Sequence, residues 1–264
     1  YYLNDIKQSS FYTTYVGLDS KGIDSVFSNG PTYYYHSNGN KSWDVFFLNN
    51  IKEGEEKLYY ESGIIKVMAT NINGLWEGEK LNYYESGKIS QKSNYINGIK
   101  EGNVKDYYET GELKSTLFFI NNIRQQTIGY NKNGFISYKA NYTNNLPNGE
   151  QFFYHASGKL RGVINYVDGF QNGEEVFYYP SGEISYTANN INGLTQGEQI
   201  AYYESGEIQY TVNWVDNLKQ GEQISYYESG EIEFKRNWVD NLKKGEQVNY
   251  YESGEVKETL KYVD

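Results

Sequence analysis

Turn-forming glycines recur along this chain every 24 residues, and that period restricts its fold more than any other feature. They stand at Gly39, Gly63, Gly87, Gly111, Gly134, Gly158, Gly182, Gly206, Gly230 and Gly254, and the single irregular interval is the 23 residues from Gly111 to Gly134. A second series runs between them: Gly54, Gly78, Gly102, Gly149, Gly173, Gly197, Gly221 and Gly245, broken at Gln126 beside the one-residue deletion. A period of this length signals a row of supersecondary units, none able to bury its apolar face alone. Such arrays bind or hold other molecules far more often than they catalyse.

One unit, Gly221 to Lys244, shows what is repeated. Strand-forming residues flank Glu228-Ser229-Gly230, and a three-residue loop with glycine in the left-handed position makes a tight hairpin. That hairpin pairs Tyr227 with Glu231 and Tyr226 with Ile232. Further on, Asp240-Asn241 supplies a two-residue turn. The equivalent first positions are Asn49, Asn73, Asn97, Asn121, Asn144, Asp168, Asn192 and Asp216. The second positions hold only Asn or Gly, residue types that accept left-handed backbone at low cost. Two strands and two tight turns account for the repeat, so the expected fold is all-β: an elongated single-sheet array of tandem β-hairpins, about ten units, in a twisted antiparallel meander. The Gly221-type glycine falls inside a strand, where it marks a bulge that would curl the hairpins into a trough. Residues 31–264 form the array. Residues 1–30 fit poorly, and Leu18-Asp19-Ser20-Lys21-Gly22 reads as a degenerate N-terminal hairpin acting as a cap.

Strict alternation along these strands assigns Ile224, Tyr226, Ile232, Phe234 and Trp238 to one face, and Ser225, Tyr227, Glu231, Glu233 and Val239 to the other. The column of Tyr226 is tyrosine in all ten units and reads as the packing spine. Its neighbour varies (His36, Tyr60, Tyr84, Tyr108, Asn131, His155, Tyr179, Tyr203, Tyr227 and Tyr251), as suits a surface.

The sequence YYESGEI…NWVDNLKQGE, present as Tyr83-Tyr84-Glu85-Ser86-Gly87 and Tyr95-Ile96-Asn97-Gly98, resembles the MORN repeat. It is closest to the bacterial variant of that repeat, the YwqK-like antitoxin-type family. The resemblance implies a rod or trough of hairpins used for scaffolding and protein contacts, and it implies no catalytic residues.

Several functions fall away on composition and spacing. The net charge of −10 disfavours nucleic acid and anionic membrane surfaces. No apolar run is long enough for a membrane helix, and a transmembrane barrel is rejected because Lys57, Lys105, Asn71 and Asn190 interrupt its lipid-facing columns. With no cysteine there is neither a disulfide framework nor a thiolate metal site. His36 and His155 occupy one column five units apart and replace tyrosine there, so they cannot share a site. Glutamate pairs such as Glu228 and Glu231 recur on solvated turns with no cleft to desolvate them. No catalytic, cofactor-binding or metal-binding residue is therefore expected. The chain starts at Tyr1 and stops at Asp264 on a turn residue, so both ends are expected to be cut, and the sequence leaves bacterial cytoplasm and cell surface equally open.

Aromatic side chains make up 17% of the sequence, and they carry the functional expectation. A large uncovered aromatic face marks a binding site, with tyrosine and tryptophan as anchors. The candidate partner-binding residues are Tyr203, Trp214, Tyr227, Phe234, Trp238 and Tyr251. The expected role is a non-enzymatic scaffold that contacts a protein partner through a curled aromatic face, with self-association through an open C-terminal edge strand as one form of it. The alternatives are an antitoxin or immunity protein that neutralises a cognate toxin, and a cell-surface carbohydrate-binding module.

Overall fold

The computed structural model describes residues 29–262 in full and, within residues 2–28, the backbone of five short strands. Every regular element among the described residues is a β-strand. The chain divides between Gln125 and Gln126 into two compact units. The division falls in the strand Ile123–Tyr130, which has eight residues where its equivalent Leu75–Tyr83 has nine. That strand has lost the bulge residue, as the 23-residue interval requires.

In each unit the hairpins form an antiparallel meander in which strands pair with their sequence neighbours. The first unit runs from Gly30–Tyr35 through Lys41–Leu48, Ile51–Tyr59, Ile65–Ile72 and Leu75–Tyr83 to Leu113–Ile120. The second runs from Ile136–Thr143 through Leu160–Val167, Phe170–Tyr178, Ile208–Val215, Leu218–Tyr226 and Ile232–Val239 to Val256–Tyr262. Ahead of the first unit's array, Thr13–Leu18 pairs with Asp24–Ser28, and Ser9–Ser10 pairs with Tyr33–Tyr34. The loop expected at Leu18–Gly22 lies, beyond Leu18, outside the described residues.

Both turns form as their residues dictate. In the polar turn, Gly230 N donates to Tyr227 O at 2.9 Å and Tyr227 N donates to Glu231 O at 2.8 Å; all ten units repeat these two bonds. The second turn has positive φ at both central residues, for example 50° at Asp240 and 66° at Asn241. This twist matches the right-handed twist of the flanking strands.

Successive turns are also tied to one another. The amide of the second turn residue donates to a carbonyl 22 residues earlier: Gly74 to Lys52 O at 2.9 Å, Gly98 to Trp76 O at 2.8 Å, Gly193 to Gln171 O at 2.8 Å. Space then selects glycine or asparagine. At Gly98 a Cβ would lie 3.2 Å from Leu75 Cδ2. At Asn122, Asn217 and Asn241 the side-chain oxygen instead accepts a second bond from Lys100 N, Thr195 N and Lys219 N, at 2.6–2.8 Å. The first turn residue has a partner 20 positions back. Glu53, Glu77 and Glu101 accept from the amides of Asn73, Asn97 and Asn121 at 2.7–2.9 Å. Where the turn residue is Asp216 or Asp240, its carboxylate accepts from the side-chain amide of Gln196 or Gln220. Glutamate meets Asn and glutamine meets Asp, so two carboxylates never face each other in these five pairs.

The bulge glycine behaves as expected. Gly221 has φ of +71°, and opposite it the register moves from Thr211↔Ile224 to Asn213↔Gln220. A second bulge, unforeseen from sequence, lies beside the polar turn: Tyr226 pairs with Ile232 but Ser225 pairs with Phe234, leaving Glu233 as an extra residue. The extra residue shifts the parity of the rest of the strand. Phe234, Arg236 and Trp238 therefore share the face of Ser225 and Gln223, while Lys235, Asn237 and Val239 share that of Ile224 and Tyr226. This corrects the expected assignment, which put Phe234 and Trp238 with Tyr226, and Val239 with Ser225.

The packing spine needs correction too. The buried line lies on the face of Ser225 and Trp238, at Val45, Ala69 and Ser93 in the first unit and Ala140, Ile164, Ala188 and Val212 in the second. The uniform tyrosine column stays half-buried on the other face. There it packs across strands on an aliphatic column, as Tyr226 does on Ile232 and Tyr59 on Ile65. A single sheet has no second layer to cover it, so small residues dominate its buried line.

Candidate partner-binding face

The bulge at Glu233 sets the composition of the candidate site. Trp214 and Trp238 are cross-strand partners of the bulge glycines Gly197 and Gly221. Each indole N–H donates to a glutamine two residues past its glycine. Trp238 Nε1 lies 2.9 Å from Gln223 Oε1, and Trp214 Nε1 lies 2.5 Å from Gln199 Oε1. With their one polar group satisfied internally, the half-buried rings present apolar surface. Lys219 Nζ sits over both, 5.4 Å from the Trp214 ring and 4.9 Å from the Trp238 ring.

Phe234 is on this face, with the Arg236 guanidinium 4.3 Å from its ring. Tyr227, Phe234, Arg236 and Asn249 line one shallow depression, and Arg236 Nη2 donates to Asn249 Oδ1 at 2.6 Å. Three of the six expected residues, Trp214, Phe234 and Trp238, thus lie on a single face, and Tyr227, which shares one repeat position with Tyr203 and Tyr251 beside the polar turn, borders Phe234. Tyr251, 50% exposed, has Lys257 Nζ 5.5 Å from its ring.

Tyr203 and Tyr227 have a structural task as well. Tyr203 OH donates to Tyr226 O at 2.7 Å and Tyr227 OH to Tyr250 O at 2.8 Å, each reaching the next hairpin 23 residues on. Tyr60, Tyr84 and Tyr179 make the same bond. His36 and His155 substitute for them, with Nε2 at 3.1 Å from Tyr59 O and 2.9 Å from Tyr178 O. The variable column therefore staples hairpins together, which corrects its reading as a plain surface. Any residue with a side-chain donor of that reach fits. Burial first, then the charges of Glu233 and Glu228, raise the Tyr203 phenol above its ordinary range.

The first unit builds the same face around a carboxylate. Glu56 is 5% exposed and takes four donors. Oε1 accepts from Trp43 Nε1 at 2.9 Å and Lys52 Nζ at 2.7 Å; Oε2 accepts from Asn71 Nδ2 at 3.0 Å and Trp76 Nε1 at 3.2 Å. Burial pushes the Glu56 carboxyl up, but the bonds from Lys52, Asn71 and Trp76 and the Lys52 charge outweigh it and hold the carboxyl below its ordinary value. Nearby, Lys80 Nζ lies 3.3 Å from the Trp76 ring centroid; burial, reinforced by the charge of Lys100, lowers its pKa. In the second unit Glu175 has the place of Glu56. Its Oε1 accepts from Tyr186 OH at 2.6 Å, and burial, then that bond and the Glu175 charge, push the Tyr186 phenol up.

Sequence reasoning missed Gln199, Gln223, Glu56 and Lys219. The signal was present in the position two residues after the bulge glycine: in seven of the eight units that keep this glycine it is polar (Glu56, Lys80, Gln151, Glu175, Gln199, Gln223 and Gln247), and in the eighth it is Val104.

Fold and face together define an all-β tandem-hairpin repeat protein. The profile of the MORN repeat variant matches eight times, over residues 52–70, 76–97, 100–121, 147–168, 171–189, 195–216, 219–240 and 243–264. The chain belongs to the MORN repeat variant family. The hairpin Gly30–Tyr35 with Lys41–Leu48, and the segment around the deletion, fold alike but lie outside the matches.

No curated protein matches in sequence. Among solved structures the chain is similar to the GtfA/B complex bound to UDP and GlcNAc, at 10% identity and TM-score 0.21, covering 43% of this chain and 22% of that one. It is also similar to the TcdB2-TccC3-Cdc42 complex, at 12% identity and TM-score 0.20, covering 92% of this chain and 17% of that one. A porin-like protein from Bacteroides uniformis is similar at 8% identity and TM-score 0.20, over 86% and 92% of the two chains. Scores this low support no argument about this chain.

Proposed function

We propose that this chain is a non-enzymatic scaffold whose tryptophan face engages another polypeptide. The observation that carries the reading is the convergence of Trp214, Trp238 and Phe234 on one face, bordered by Tyr227, with both indole N–H groups already bonded inside the protein. Aromatic anchors of this kind dominate protein interfaces because they bury large area with few rotatable bonds. Family membership supports the repeat scaffold; the choice of face and of a polypeptide partner rests on the geometry.

The test is capture of partners from the source cells with the wild-type chain and with Trp214→Ala/Trp238→Ala, circular dichroism confirming that the variant folds. Loss of one specific protein with the folded variant supports the reading. A captured toxin would make the chain an antitoxin, and capture of the chain itself would make the contact self-association. Retention of the same proteins by both forms refutes the proposed face, and binding to polysaccharide alone replaces it with the carbohydrate reading.

A further inference from the structure

On the tryptophan face of the second unit, rings and ammonium groups alternate in one row: Trp214, Lys219, Trp238, Lys243 and Tyr262. Lys219 lies over the two tryptophans as described, and Lys243 Nζ lies 5.9 Å from the Trp238 ring and 5.6 Å from the Tyr262 ring. Each ammonium thus has an aromatic ring on either side within about 6 Å, the range of cation–π attraction. Among the described residues neither ammonium has a carboxylate within 4.0 Å. Lys52, at the same repeat position in the first unit, does have one: Glu56 at 2.7 Å. A chain with 34 acidic and 24 basic residues thus leaves this row of cations without counter-charge on its aromatic face.

We propose that the partner of this face is an extended polypeptide segment with an acidic side chain at every third residue, laid across the strands along the Lys219–Lys243 row. The inference rests on the functional reading above and supplies the chemistry of its partner. The spacing follows from the fold. Lys219 and Lys243 are one repeat apart, which is two strands or about 9.6 Å, and one turn of an extended polyproline II segment, three residues, rises about 9.3 Å and returns the side chain to the same side. Carboxylates at that interval meet successive ammonium groups, while the intervening residues lie on the exposed surfaces of Trp238 and Tyr262. Gln223 adds a polar contact. Its Oε1 is occupied by Trp238, and its Nε2 has no partner among the described residues, leaving it free to donate to a carbonyl of the bound segment.

The test uses fluorescence anisotropy with labelled short peptides and the full chain. One peptide has glutamate at every third position, a second has the same composition with its glutamates clustered at one end, and a third has glutamine in place of glutamate. The spaced peptide is expected to bind about tenfold or more tighter than either control, with the advantage shrinking as salt rises. Lys219→Gln/Lys243→Gln, which removes both charges and leaves polar side chains one atom shorter, is expected to abolish that preference. Equal binding of the spaced and glutamine peptides by the wild type, or an undiminished preference in the lysine variant, overturns the proposal. The cellular capture separates the two levels. A partner lost by the tryptophan variant but kept by the lysine variant overturns the acidic segment alone, and a partner kept by both overturns the face as well.

Discussion

Replacing Glu56 with glutamine should destabilise the first unit by about 2–4 kcal/mol at neutral pH. The carboxylate accepts two donors on each oxygen: Trp43 and Lys52 on Oε1, Asn71 and Trp76 on Oε2. A glutamine side chain retains one oxygen, so either amide orientation sets an NH2 group against two donors. Leaving a buried donor unsatisfied costs about 1–3 kcal/mol, and part of the Lys52 cost is recovered because its side chain is 32% exposed. Glu175→Gln supplies the control within the same chain. Its one donor among the described residues, Tyr186 OH, can still bond to the amide oxygen, so the expected loss is under about 1 kcal/mol.

Acid should narrow the gap between wild type and Glu56→Gln. The folded-state pKa of Glu56 is depressed, so its stabilising contribution is fully present above the unfolded-state value and is lost as pH falls through the folded-state value. Below that point the wild type carries a protonated group with its own surplus hydrogen. The assay is urea unfolding followed by tryptophan fluorescence at neutral and acidic pH. Trp43 and Trp76 both touch Glu56 and report locally, which matters because repeat arrays need not unfold in a single step. A variant within about 0.5 kcal/mol of wild type at neutral pH, or a gap that persists undiminished in acid, would refute the reasoning.

Three further outcomes follow from the staples between hairpins. Tyr227→Phe removes the bond to Tyr250 O and should cost about 1 kcal/mol in urea unfolding, whereas Tyr251→Phe, whose hydroxyl has no partner among the described residues, should cost nothing measurable. Gly98→Ala and Gly102→Ala each place a side chain at positive φ for about 1–2 kcal/mol. Only Gly98→Ala also meets Leu75, at 3.2 Å, so it should be the less stable of the two by thermal melting. Gln196→Glu would set a carboxylate against Asp216 and should lower the melting temperature at neutral pH, with the deficit recovering as acid protonates the pair. Equal melting temperatures at neutral pH would contradict the pairing of positions 20 residues apart.

Much of this fold was legible because its turns leave few alternatives. Asn and Asp at fourteen positive-φ positions, with glycine at the remainder, specify the two-residue turn by backbone sterics alone, and every one of those turns forms. The bulge at Gly221 was legible for the same reason. The bulge at Glu233 was not, because its extra residue has no positive φ and so demands no particular residue type. A single extra residue reverses the parity of all that follows. That is why Phe234 and Trp238 were assigned to the wrong face although their pairing partners near the turn were right. The uniform tyrosine column misled in a related way, since regularity reflects any repeated contact and not burial alone. Polar residues such as Gln223 and Glu56 escaped the sequence reading because their donors come from strands 13 to 20 positions away in sequence. Of the six candidate aromatics, Trp214, Phe234 and Trp238 fall on one face once the Glu233 bulge is counted, whereas Tyr203, Tyr227 and Tyr251 belong to the column beside the polar turn.

The central functional claim is that the tryptophan face, and not the tyrosine face, is where a partner sits. Hydroxyl-radical footprinting of the chain alone and with its captured partner tests it residue by residue, since both faces are rich in oxidisable rings. The account predicts protection of Trp214, Phe234 and Trp238 with unchanged labelling of Tyr226 and Ile232. Protection of Tyr226 and Ile232 with Trp214 and Trp238 still fully labelled would contradict it.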